Sequence, residues 1–106
     1  MVLTVFRSRL RPENADGFEA LADEMMSLAK SMPGFLSYKV YQSEDGERCS
    51  IIEFDTPLHL KAWREHPPHR AAQQRGREHF YESYSLHVSE PDRESLFTWS
   101  PETDSG

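Results

Sequence analysis

The apolar pattern of the chain predicts an α+β domain with ferredoxin-like βαββαβ order, a four-stranded antiparallel sheet carrying its helices on one face. Three observations lead there. Residues 2–10 alternate as a strand, residues 18–32 repeat their apolar positions at helical spacing, and residues 35–42 and 49–55 form two strand-like runs separated by Asp45-Gly46.

The first run, VLTVFRSRL, sets Val2, Phe6 and Leu10 on one face and Leu3 and Val5 on the other, so both faces of this strand are apolar. Pro12 opens a helix-start region with Asn14 or Asp16 as candidate caps and Glu19 three residues after Asp16. Phe18, Leu21, Ala22, Met25, Leu28, Ala29 and Met32 then mark the apolar stripe of a helix that Pro33-Gly34 ends. FLSYKVYQ and CSIIEFD are the second and third strands, and Asp45-Gly46 supplies the positive φ angles of a tight hairpin turn. Thr56-Pro57 caps a short helix over Leu58 to Glu65, Pro67-Pro68 interrupts it, and a further helical piece runs from Pro68 to Arg77. The fourth strand, His79 to Ser89, carries Phe80, Tyr84, Leu86 and Val88 on one face and Tyr81 among polar residues on the other. Residues 1–89 are thus one domain. Residues 90–106 are a polar, turn-rich tail, apolar only at Leu96, Phe97 and Trp99, and expected to dock on a partner subunit or to remain free.

Helices on one face leave the other face of the sheet bare, and an apolar patch of several hundred Å² is unusual on a monomer. If about 500 Å² per subunit is covered by a twin, the gain is on the order of 10 kcal/mol before association costs, so a homodimer with facing sheets is expected. A net charge of -6 and a pI near 5.3 oppose binding to nucleic acid, which needs an excess of Lys and Arg. No apolar run approaches the roughly 20 residues that cross a bilayer, and a cytoplasmic location is expected. Cys49 is the single cysteine, which excludes an internal disulfide and a thiolate metal cluster and suits a small buried hydrophobe.

Several features together resemble the antibiotic biosynthesis monooxygenase domain of the dimeric α+β barrel superfamily. They are Pro33-Gly34-Phe35 after the amphipathic helix, the IIEF strand at 51–54, the Leu60 to Trp63 helix, and His66-Pro67, His69, Gly76-Arg77 and Phe80-Tyr81. The resemblance spans about residues 2–89 and is most specific over 63–81. It implies a pocket in each subunit between the sheet and the second helical region, lined from Trp63 onward. It also implies a cofactor-independent oxidation of a planar aromatic or quinone-type molecule, with no metal. A haem-degrading branch of the same superfamily carries a histidine ten residues after the helix tryptophan and an asparagine on the first strand. Here those places hold Gln73 and Phe6, so haem would need an atypical ligand.

A cofactor-free oxygenase must form an electron-rich substrate anion, and a histidine is the side chain whose ordinary pKa suits that proton transfer. His69 is the first candidate base and His66 the second. The prolines between them mean that their three-residue spacing does not place them on one helical face. Trp63 is read as an aromatic wall or a core residue, Tyr38, Tyr81 and Tyr84 as groups orienting a substrate hydroxyl or lining the barrel, and Phe6 as part of the pocket. Arg77 stands out from Arg64, Arg70 and Arg75 as a partner for an anion, although a solvated face paired with Glu65, Glu78 and Glu82 explains the cluster equally. His59, His79 and His87 show no partner by spacing and are read as surface or strand-end residues. The alternative to an enzyme is a small-ligand-binding module on the same dimer with no base poised.

Overall fold

The computed structural model describes residues 1–101, apart from the side chain of Asn14. Four strands, β1 (Val2–Leu10), β2 (Phe35–Gln42), β3 (Arg48–Phe54) and β4 (Tyr81–Ser89), form one sheet of order β2-β3-β1-β4. Every neighbouring pair is antiparallel. Three helices complete the domain: α1 (Phe18–Lys30), α2 (Pro57–Glu65) and α3 (Pro67–Arg75). This is the βαββαβ arrangement expected from the sequence, with the second helical region broken in two.

Strand alternation decides which side chains meet the helices. Val2, Thr4 and Ser8 of β1 are buried together with Ser50, Ile52 and Phe54 of β3, and the register pairs Val2 with Phe54 and Thr4 with Ile52. On the opposite face Leu3, Val5 and Ile51 are half-buried, and their cross-strand neighbours include Lys39, Glu53 and His87. The apolar strip on the helix-free face is therefore narrow and edged by charge. Two core clusters fill the space under the helices. One joins Val2, Ala29, Ile52, Phe54, Leu60 and Trp63, and the other Phe18, Leu21, Met25, Ala72 and Tyr81. Each fully buried large side chain of this kind contributes about 1.5–3 kcal/mol.

Helix α1 buries Phe18, Leu21, Met25 and Ala29, one stripe at helical spacing. Its N-cap is Gly17, with φ 89° and no side-chain cap, rather than Asp16, and the Asn14 side chain lies outside the described residues. The left-handed backbone at Gly17 lets the chain turn from the short 3-10 turn Pro12–Asn14 into the helix, which a side-chain cap would otherwise stabilise. In the hairpin only Gly46 has positive φ; Asp45 instead uses its carboxylate, accepting from the Glu47 N–H at 3.1 Å and from the Arg9 guanidinium at 2.7 Å. Helix α2 begins as expected, with the Thr56 hydroxyl accepting the His59 N–H at 3.2 Å. His66 joins α2 to α3, its N–H reaching the Trp63 carbonyl and its carbonyl accepting from the Arg70 N–H.

The fourth strand departs from the alternation read in the sequence. Gly76–Phe80 forms a π-helical turn, so β4 starts at Tyr81 and not at His79. A register shift follows: Leu10 faces Tyr81, whereas Arg9 faces Ser83. This bulge turns Tyr81 to the helix-covered side, where it is buried, instead of the polar side. Arg11 holds the passage, donating to the carbonyls of Tyr81, Glu78 and Arg77 at 2.9, 2.8 and 2.7 Å. Beyond Ser89 the described chain carries no strand as far as Ser100, and Leu96, Phe97 and Trp99 are exposed.

Candidate functional site

A cavity of about 330 Å³ lies between sheet and helices, bordered by both core clusters. Its floor is Thr4, Phe6 and Ser8 of β1 with Ser50 and Ile52 of β3. Phe18, Ala22 and Met25 of α1 form one wall, and Leu60, Trp63 and His69 of α2 and α3 form another. Tyr84, Leu86 and Val88 of β4 also line it yet are 44, 49 and 43 % exposed, so the cavity opens to solvent along this edge strand. A largely apolar hollow with a few polar points is the usual form of a small-molecule site.

Of the residues singled out in the sequence, Phe6, Tyr38, Trp63, His69, Arg77, Tyr81 and Tyr84 all border this cavity. His66 does not belong to its lining; it is half-buried at the α2–α3 junction. Phe6 meets Tyr81 and Tyr84 with ring centroids 5.5 and 5.2 Å away, and the two tyrosines are 5.6 Å apart. Only the β4 bulge permits that triangle, because strict alternation would send tyrosines three residues apart to opposite faces. Trp63 stacks on Phe54 and on His69, at 5.5 and 4.1 Å between centroids, and meets Tyr38 edge-on at 6.2 Å. It therefore serves the core and the cavity wall together.

Burial sets the protonation of the polar lining. The His69 imidazole is pulled down to about 4, chiefly by desolvation, and stays neutral at pH 7. Desolvation likewise pushes the Tyr81 hydroxyl up to about 12 and raises that of Tyr38, so both phenols keep their protons. Charges at the cavity are those of Arg48, Arg64 and Arg77 against Glu19 and Asp23. Arg48 lies over the Phe18 ring at 4.9 Å and pairs with Glu19 at 3.3 Å. Among the described residues, two buried polar atoms of the lining, Thr4 Oγ1 and Trp63 Nε1, lack a hydrogen-bond partner. Among the described residues no three His, Cys, Asp or Glu side chains gather as a metal ion needs.

Some pairings escape a reading of the sequence. His59, which shows no partner by spacing, contacts the Asp55 carboxylate at 2.6 Å and holds it below the usual carboxylate range. Arg75 pairs with Glu24 of α1 at 2.6 Å and not with a glutamate of its own segment. Most consequential is Gln73, whose side-chain nitrogen lies 2.9 Å from His69 Nδ1 and 3.1 Å from the Arg64 carbonyl. His69 and Gln73 are four residues apart on α3, the spacing that brings helical side chains together and the signal that could have paired them.

A four-stranded α+β domain with an aromatic-walled cavity under its helices defines a class, and comparison with known proteins gives the family. Residues 1–75 match the family model described as antibiotic biosynthesis monooxygenase, and the chain belongs to that family. The uncharacterized protein YqjZ of Bacillus subtilis is 37 % identical over 93 residues, covering 88 % of this chain and 82 % of its own. Rv0793 of Mycobacterium tuberculosis superposes with a TM-score of 0.79 at 24 % identity, over 90 % of this chain and 98 % of that one. SnoaB from Streptomyces nogalater, a cofactor-independent oxygenase solved as a point mutant, gives 0.76 at 14 % identity, over 88 and 94 %. At these identities the solved structures establish the fold. Among the described residues no helix is long and apolar enough to cross a membrane.

Proposed function

We propose that this chain is a homodimeric, cytoplasmic, cofactor-independent monooxygenase of planar aromatic or quinone-type small molecules. The observation that carries the reading is the cavity itself: flat aromatic and apolar walls surround a small set of polar groups that includes His69, Tyr38 and Tyr81. Such a slot suits a fused-ring phenol or anthrone. SnoaB, similar in fold, is a cofactor-independent oxygenase, which supports the same chemistry here. Loss of a proton makes such a substrate electron-rich enough to reduce dioxygen; one oxygen atom becomes a carbonyl on the ring and the other leaves as water.

Dimerisation is part of the proposal. The half-buried strip Leu3, Val5 and Ile51 and the exposed Leu96, Phe97 and Trp99 are the apolar surfaces a second copy would cover. The expectation of no metal or cofactor rests on the family resemblance and on Gln73 standing where the haem branch has its histidine.

Oxygen uptake with anthrone or a hydroquinone, measured for the purified protein and for His69→Ala, tests the reading. Turnover by the parent and its loss in the variant support it. Binding of a hydroxyanthraquinone without any oxygen uptake assigns the cavity to a binding module instead, and a Soret band on haem titration assigns it to haem.

A further inference from the structure

The arginines divide by what their guanidinium groups meet. Arg7, Arg9, Arg48 and Arg75 pair with Glu47, Asp45, Glu19 and Glu24, and Arg11 donates to three carbonyls. Among the described residues the guanidinium groups of Arg64, Arg70, Arg77 and Arg93 have neither a hydrogen bond nor an ion pair. Two of them, Arg64 and Arg77, border the cavity. In a chain of net charge -6, where carboxylates outnumber cations, unpaired guanidinium groups beside a cavity are left for a ligand.

The rest of the lining does not cancel them. Arg48 and Glu19 neutralise each other, which leaves Asp23 to set against two arginines. His69 adds no charge: burial keeps its imidazole neutral, and its ring N–H is directed at the carbonyls of Trp63 and Arg64. Recognition of charge at this wall therefore falls to the arginines. Arg77 is the better placed. His69, Gln73 and Arg77, all part of the lining, follow one another at four-residue spacing along α3 and the π-helical turn after it. Gly76, just before Arg77, abuts the Tyr81 ring, so that a Cβ there would stand 2.5 Å from it. Arg11 binds the Arg77 carbonyl at 2.7 Å, which ties down the backbone and leaves the side chain unengaged.

We propose that the cavity selects planar aromatic acids: the ring system enters the hollow, and a carboxylate on its outer edge is held at the rim by the Arg77 guanidinium, with Arg64 as the second cation. The inference deepens the oxygenase reading and rests on it for the planar ring. A guanidinium presents parallel N–H groups to both oxygens of a carboxylate, a match that a phenol, uncharged near pH 7, does not use. Exposure fits the same division. Arg64 and Arg77 are exposed whereas Trp63 and Tyr81 are buried, so the acid group keeps its water while the rings lose theirs. An ion held at the rim avoids the desolvation cost of a fully buried pair.

An anthraquinone carboxylate and the corresponding carboxamide, alike in shape and different in charge, test the proposal by quenching of tryptophan fluorescence at pH 7. The parent should bind the acid roughly tenfold more tightly than the amide. Arg77→Gln should lose most of that preference while holding the amide as the parent does, and Arg64→Gln should lose a smaller part. Arg70→Gln, at an unpaired arginine of α3 outside the cavity lining, should keep it. Arg11 grips the backbone of residue 77 and not its side chain, so Arg77→Gln leaves those bonds in place. Equal affinity for acid and amide in the parent overturns the proposal. So does a preference that survives in the double variant Arg64→Gln/Arg77→Gln, or one that falls as far in Arg70→Gln. Oxygen uptake separates selectivity from activity: turnover of a neutral anthrone by a protein that binds acid and amide alike removes the acid selectivity and keeps the oxygenase reading, whereas acid selectivity without oxygen uptake counts against the oxygenase reading alone.

Discussion

Trp63 and His69 lie face to face, 4.1 Å between ring centroids and 17° from parallel, although one closes α2 and the other sits inside α3. His66 and the prolines after it fold the chain back sharply enough to bring the two rings together. The indole thereby takes water away from the imidazole, and desolvation is the leading cause of its lowered pKa.

That coupling predicts a pH dependence of stability. With a folded-state value of about 4 against an ordinary 6.5, the unfolded chain binds the proton first as the medium acidifies. Stability is then undiminished above pH 6.5, falls as pH drops from there to about 4, and levels off below, a change of up to about 3 kcal/mol. Urea melts across this range should show the fall in the parent and a shallower one in His69→Gln. Parallel curves would rule out His69 as the source.

Arg11 and Gly76 set the entry to β4, and each has a distinct expected effect. Lysine at position 11 cannot serve three carbonyls in one plane, so Arg11→Lys should cost about 1–2 kcal/mol in denaturant unfolding. A Cβ on Gly76 would stand 2.5 Å from the Tyr81 ring, in a helical conformation any residue adopts. Gly76→Ala should therefore displace Tyr81 into the cavity, costing roughly 1–3 kcal/mol and weakening any aromatic ligand seen by fluorescence titration.

Thr4 offers a contrast. Its buried hydroxyl has no partner among the described residues, and replacing an unsatisfied group by a methyl of the same shape is neutral or stabilising. Thr4→Val should keep or raise the urea midpoint. A loss of more than about 1 kcal/mol would mean that the hydroxyl holds an ordered water or ligand.

The dimer is tested by mass. The parent should sediment at twice the chain mass of 12.3 kDa, and a chain ending at Ser89, without Leu96, Phe97 and Trp99, should dissociate at concentrations at least roughly tenfold higher. A parent that remains monomeric at high concentration removes the dimer from the proposal.

How much of this is legible in the sequence varies along the chain. β1, β3 and α1 follow from the spacing of their apolar residues, and β2 does so only past its start, where a register shift between Phe35 and Ser37 interrupts the alternation. The split of the second helical region is legible in Pro67-Pro68. The start of β4 is not: a π-helical turn and a bulge both break the count on which periodicity depends, and that count puts Tyr81 on the wrong face. In the site, Trp63, His69 and the tyrosines draw notice as residue types. Gln73 does not, since an amide gains its role only from what surrounds it. The interplay of Arg11 with carbonyls some seventy positions away leaves no local trace in sequence at all.

The bulge where Arg9 faces Ser83 has a consequence for how this protein tolerates change in length. Most surface connections accept an inserted or deleted residue at little cost, since closure entropy varies slowly with the number of links. Between Gly76 and Ser83 that latitude is one-sided: losing Glu82, the extra residue of the bulge, would only restore even pairing, whereas one added residue would rephase the edge strand and exchange Tyr84, Leu86 and Val88 for Ser83, Ser85 and His87 at the cavity mouth. The entrance would turn hydrophilic without a single substitution.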